Sequence, residues 1–173
     1  MPEDGSRLCN VAALADEARE VDLVVPLARL ERIVPRLVST EGRAKGRVAL
    51  DRYQGHVVAD VSVEAEVSLQ CQRCLQPVSL PIAGSSRVAL VESEAAVGNV
   101  PPELETALAQ DGRLRLADLV EEELLLALPS APRHPEGHCP GDVPGPMPEE
   151  SAEPTQRPFA NLGELLKSGR SKS

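Results

Sequence analysis

Cys71-Gln72-Arg73-Cys74 sets two thiols two residues apart, and His134, His138 and Cys139 stand together much further along the chain. Two thiolates at that spacing on a tight turn chelate one Zn²⁺, and a tetrahedral site then needs two more ligands. The candidate centre is therefore Cys71, Cys74 and Cys139 with either His134 or His138, and zinc is the candidate cofactor. The second half does not repeat the CxxC spacing of paired zinc motifs, so two other uses of the thiols stay open. Free cysteines pack as small hydrophobes. A redox pair is the other use, but thioredoxin-type chemistry lowers its thiol pKa at a helix N-terminus. Here Pro77 and an alternating stretch follow instead. Cys9, in an acidic N-terminal stretch, reads as idle.

Other chemistry is sparse. The chain has no P-loop, GxGxxG, HExxH or GxSxG, each of which places a nucleophile, a metal or a phosphate cradle in a defined turn. Glu121, Glu122 and Glu123 cannot all face one site on a helix and read as a solvated face. No enzyme is expected. Arg43, Lys45, Arg47 and Arg52 are candidate phosphate contacts, or else the solubilising cations of a hairpin edge. They give residues 31–55 a net charge of +3 within a chain of −9. Residues 157–173 also carry +3, whereas 101–128 hold seven acids and two bases. A chain this acidic does not bind nucleic acid by bulk charge. Its two aromatics, Tyr53 and Phe159, cannot form the stacking platforms of RRM or cold-shock domains.

The elements that must position these groups follow from periodicity. Val57, Ala59, Val61, Val63, Ala65, Val67, Leu69 and Cys71 alternate with mainly polar residues, which predicts a long half-buried strand. Gly46–Asp51 pairs with it across an Asp51–Gly55 turn. After Cys74, Val78, Leu80 and Ile82 alternate again, and Arg87–Val91 extends or follows that strand. Pro77 and Pro81 place this piece at an edge or bend. Val21, Leu23 and Val25 give a short strand, and a helix starts near Pro26 with Leu27, Leu30, Ile33, Val34 and Leu37 on one face, kinked at Pro35. Residues 93–112 read as a loop-rich connection. Leu116–Leu128 is a helix stopped by Pro129, with Leu116, Val120 and Leu124 facing the sheet.

The expected fold is α+β: a central antiparallel β-sheet, one long packed helix, a shorter N-terminal helix and a disordered Pro-rich C-terminal segment. Residues 1–18 read as a flexible N-terminus, 19–128 as the domain, 129–157 as a Pro/Gly/acidic linker with ligands at its start, and 158–167 as a short motif. Nine of the sixteen prolines fall in 129–158, a composition that buries too little to offset its ordering cost. Phe159, Leu162, Leu165 and Leu166 form an amphipathic turn too short to be stable alone, so it docks on its own domain or on a partner. The longest apolar runs, Leu124–Leu128 among them, are far short of a membrane span, and the first ten residues lack an apolar h-region. Four cysteines are too few for a secreted disulfide scaffold. A soluble cytoplasmic protein is expected.

Ser68-Leu-Gln-Cys71-Gln-Arg-Cys74-Leu-Gln-Pro77-Val, then Leu116–Pro129 with Pro132, His134 and Cys139, then Pro158-Phe-Ala-Asn-Leu162, resemble the bacterial YceD family over about residues 20–166. Its members are also called large ribosomal RNA subunit accumulation proteins. The resemblance implies a role in the synthesis, processing or stability of large-subunit ribosomal RNA, and so in ribosome biogenesis. It carries over Cys71, Arg73, Cys74, Glu122, Leu128, Pro129, His134, Cys139 and Phe159 as motif positions and supplies no catalytic residue. Two mechanisms fit: direct contact of the Arg43–Arg52 edge with the RNA or its precursor, or an adaptor whose acidic surfaces meet a basic ribosomal or assembly protein. The second suits the charge better.

Overall fold

The structure, a computed structural model, describes residues 4–140. Two antiparallel strands, β1 (Leu8–Asn10) and β7 (Arg113–Arg115), form a small ribbon. The main sheet has the order β2 (Glu20–Pro26), β3 (Arg43–Tyr53), β4 (His56–Gln70), β5 (Pro77–Val91) and β6 (Glu105–Leu108). Its first four strands are antiparallel neighbours, as expected, and only β6 runs parallel to β5. Helices α1 (Val11–Asp16) and α2 (Leu116–Ala127) complete an α+β fold. Among the described residues no helix is long and apolar enough to cross a membrane.

The alternation of β4 holds: Val61, Val63, Ala65, Val67 and Leu69 are buried, and Asp60, Glu64, Glu66 and Gln70 are exposed. The β3–β4 turn is tighter than the sequence suggested. Tyr53 pairs with His56, and Gln54 (φ 49°) and Gly55 (φ 86°) alone make the reversal. Two consecutive positive φ values define the type I′ turn, whose twist matches that of its strands. Pro77 and Pro81 lie on the half of β5 that β6 does not reach, so their missing amides cost no ladder bond.

Three expectations change. The helix foreseen from Pro26 is instead two 3₁₀ turns, Leu27–Arg29 and Val34–Arg36. Leu27, Leu30 and Ile33 are still buried, because a spacing of three fits the 3₁₀ pitch, and Pro35 forbids a continuous α-helix. The short N-terminal helix lies earlier, at α1, where the Asn10 side chain accepts from the Ala13 amide at 3.0 Å and Val11 and Ala15 are buried. The connection at 93–112 contains β6, which shows no apolar alternation because it is mostly exposed.

Helix α2 lies across the strands. Leu23, Gly46, Val63 and Gly84 form one row over β2 to β5 on the core side. Val120 covers Gly46, while Glu123 and Ala127 cover Gly84. The two glycines leave the helix room to sit close to the backbone, and Val120 and Leu124 are fully buried there. This close seat overturns the solvated-face reading of the glutamates: Glu121 and Glu123 are buried. Glu121 Oε1 accepts from the amides of Arg32 (2.7 Å) and Ile33 (3.3 Å), Glu123 accepts from the Ser86 hydroxyl, and Glu122 pairs outside with Arg32.

A Cβ at position 46 would stand 2.4 Å from Val120 Cγ2. Gly46→Ala is therefore expected to lower the unfolding free energy by about 1–3 kcal/mol. Gly98→Ala, with nothing within 4 Å of its Cβ, should stay within about 0.5 kcal/mol of the parent. Urea denaturation of both variants checks the close seat.

Candidate metal centre

The CxxC pair occupies the loop between β4 and β5. Gln70 pairs with Pro77, so residues 71–76 make the reversal. The Cys71 amide donates to Gln76 O and the Leu75 amide to Cys71 O, both at 2.9 Å, and Leu75 takes a left-handed φ of 61° to close the knuckle. Cys71 keeps the buried parity of Val67 and Leu69, so its thiol faces the core side and is fully buried.

The other ligands return from α2. Leu128 leaves the helix with φ −64° and ψ 133°, the polyproline geometry that Pro129, Pro132 and Pro135 favour. The Gln72 amide donates to Pro132 O at 2.8 Å and stitches this segment to the knuckle. Gly137 (φ 74°) then turns the chain, with the His138 amide donating to Pro135 O, and brings back Cys139, which is buried.

Cys71, Cys74, His134 and Cys139 thus converge, each offering one ligand atom, all within 4.8 Å of one another. Cys71 Sγ and Cys139 Sγ are 3.9 Å apart; His134 Nδ1 lies 3.4 Å from Cys74 Sγ and 3.8 Å from Cys139 Sγ. A tetrahedron with Zn–S of about 2.3 Å and Zn–N of about 2.05 Å has edges of about 3.8 Å (S···S) and about 3.6 Å (S···N). The donor set fits a tetrahedral cation with little rearrangement. His134 Nε2 is 3.0 Å from Pro77 O. Because that carbonyl only accepts, Nε2 carries a proton, and Nδ1 is the ring nitrogen that faces the thiols.

Electrostatics favour a thiolate. Burial pushes the Cys71 thiol up, but hydrogen bonds from the backbone amides of Cys74, Arg73 and His134 and from the His134 side chain outweigh it and bring its pKa down to about 5. Burial raises that of Cys139, against the pull of the Arg73 guanidinium, whose Nε donates to Cys139 Sγ at 3.1 Å. Arg73 also reaches the carbonyls of His134 (3.5 Å) and Pro135 (3.4 Å). Four ligands closing on one point leave no open position, which is the form of a structural site. The pair lies between two strands, not at a helix N-terminus.

The remaining candidates fall elsewhere. His138 is exposed, with its Nδ1 at 2.8 Å from Glu136 O, and stays outside the cluster; Cys9 lies apart from it. Arg43, Lys45 and Arg47 project from the face of β3 opposite the buried Ala44, Gly46 and Val48, whereas Arg52 has the other parity and meets Asp16 of α1 at 2.7 Å. Arg47 pairs with Asp22 (3.0 Å) and Glu20 (3.2 Å), and Lys45 stands opposite Glu64. Hydrogen bonds to these carboxylates hold the guanidiniums of Arg47 and Arg52 above their ordinary pKa. Phe159, Leu162, Leu165 and Leu166 lie outside the described residues. Sequence reasoning did not find the Pro77 carbonyl or the contacts of Arg73, since neither a backbone acceptor nor a side-chain direction is written in residue type.

Fold and site together define an α+β domain with a Cys₃His cluster at one end of its sheet. The chain belongs to the YceD family, described as large ribosomal RNA subunit accumulation proteins: the family model matches residues 59–166, a span that contains all four cluster residues. The chain is also 32% identical over 166 residues to the large ribosomal RNA subunit accumulation protein YceD of Haemophilus influenzae, covering 90% of this chain and 94% of that one. No solved structure matches it.

The Pro77 contact fixes one tautomer. In metal-free protein, long-range ¹H–¹⁵N correlation should find His134 protonated on Nε2; a ring without a proton on Nε2 would contradict the geometry.

Proposed function

We propose that this protein supports the accumulation of large-subunit ribosomal RNA in the cytoplasm as a non-enzymatic adaptor that engages a basic ribosomal or assembly protein. Membership of a family named for an RNA level rather than for a reaction supports the RNA link. The observation that carries the adaptor mechanism is the state of the β3 cations. Arg47 and Arg52 are already bonded to carboxylates, and Lys45 stands across from Glu64. Phosphate affinity comes from free cations that displace counterions, and paired cations on a chain of net charge −9 supply few.

In-cell ultraviolet crosslinking with sequencing tests this mechanism. The adaptor predicts that Arg43→Gln, Lys45→Gln, Arg47→Gln and Arg52→Gln together leave co-purification of large-subunit RNA unchanged. Phe159→Ala with Leu162→Ala should reduce it by loosening the partner. Discrete crosslinks on large-subunit RNA that vanish in the four-Gln protein would establish direct contact instead and overturn the adaptor.

The convergence of Cys71, Cys74, His134 and Cys139 supports a second property, the binding of one zinc ion. Three thiolates and one imidazole match zinc in softness and in number. Metal analysis of the purified chain should find about one zinc per chain. Cys71→Ser or His134→Ala should remove most of it, and Cys9→Ser or His138→Ala none. Arg73→Ala, which removes a donor to Cys139 Sγ, should weaken binding about 10–100-fold. Full metal content in Cys71→Ser protein would refute the site.

A further inference from the structure

Residues 129–140 follow α2 without any helix or strand, and only Pro132 and Cys139 among them are buried. The hydrogen bonds described between this stretch and the rest of the chain come from one place. The Gln72 amide takes Pro132 O, Arg73 takes the carbonyls of His134 and Pro135 and the sulfur of Cys139, and His134 Nε2–H is spent on Pro77 O. Two of the four cluster atoms belong to the knuckle and two to this stretch. A cation bound among them therefore joins two pieces of chain, of which the stretch after α2 adds only Cys139 to the hydrophobic core. By contrast α2 and β4 are set in the main core by Leu116, Val120, Leu124, Val61, Val63 and Val67.

We propose that zinc acts here as a local clamp: its binding seats residues 129–140 on the β4–β5 knuckle, and its loss frees that stretch while the sheet and α2 remain folded. This inference rests on the zinc reading above and adds the consequence of occupancy. The reason is an imbalance of contacts. A stretch with two buried side chains and a handful of hydrogen bonds belongs to the low-stability end of a structure, where segments open independently of the core. Metal-ligand bonds couple to the ordering of whichever chain supplies the ligands. The knuckle supplies one half in a strand loop already closed by its own backbone bonds, so the half that gains order is the segment after the helix.

Hydrogen exchange followed by mass spectrometry on the full chain tests this, comparing protein loaded with zinc ions, protein stripped by a chelator, and the Cys139→Ser variant with zinc present. Stripping should speed exchange in peptides covering 129–140 by about tenfold or more, leave peptides from β4 and α2 unchanged, and be reversed by added zinc. Cys139→Ser protein should stay fast in 129–140 with zinc present and keep its slow β4 and α2 amides, which shows that it folds. One zinc per chain with equal exchange in 129–140 before and after stripping would overturn the clamp and leave the zinc reading standing. Loss of protection in β4 and α2 on stripping would also overturn it, since the metal would then hold the whole domain. A chain that takes up no zinc ends both.

Discussion

The contact on which the rest depends is the approach of α2 to the sheet at Gly46 and Gly84. A side chain at either position would meet Val120, Glu123 or Ala127 inside van der Waals distance. With no Cβ there, the helix settles against the backbone of β3 and β5, and its sheet-facing arc widens beyond the leucines. Glu121 and Glu123 are drawn inside as a result and need partners, since a buried carboxylate without them is costly. Glu121 takes the amide of Arg32 and shares that of Ile33 with the Leu30 carbonyl, and Glu123 finds Ser86. The seating of the helix thus also organises the irregular chain between β2 and β3.

Register ties that seat to the cysteines. Gly46, Val63 and Gly84 share one row in only one pairing of β3, β4 and β5, and a one-residue slip would turn every side chain of a strand to the other face. The same register carries the buried parity of Val67 and Leu69 on to Cys71, so the thiol ends up on the side where α2 lies. Chain leaving α2 in an extended, proline-favoured form meets the knuckle there. One alternation pattern therefore governs both the helix seat and the site.

What the sequence made legible was what repeats. The strands β2 to β5 announce themselves because one face is buried and the other wet, and α2 because Leu116, Val120 and Leu124 return at helical spacing. β6 was silent: four mostly exposed residues leave no alternation to read. The apolar spacing of Leu27, Leu30 and Ile33 suits two kinds of helix, and only the geometry at Pro35 separates them. The burial of Glu121 and Glu123 depends on glycines far away in sequence. His134 and His138 offered the same chemistry, and the choice fell to a backbone carbonyl, that of Pro77. At 129–140 composition gave the prolines and the ligands but not where the chain runs, which is back to the knuckle.

The charge distribution follows the same logic of prior commitment. An arginine bonded to aspartate brings a carboxylate beside any phosphate it meets, so the local charge it offers to nucleic acid is partly cancelled. Arg47 between Asp22 and Glu20, and Arg52 on Asp16, are in that position. Arg73 is committed as well, and to better effect. Three thiolates around a divalent cation carry one net negative charge, and the guanidinium that donates to Cys139 Sγ stands where that charge would be balanced. Arg47, Arg52 and Arg73 thus hold the chain's own parts together.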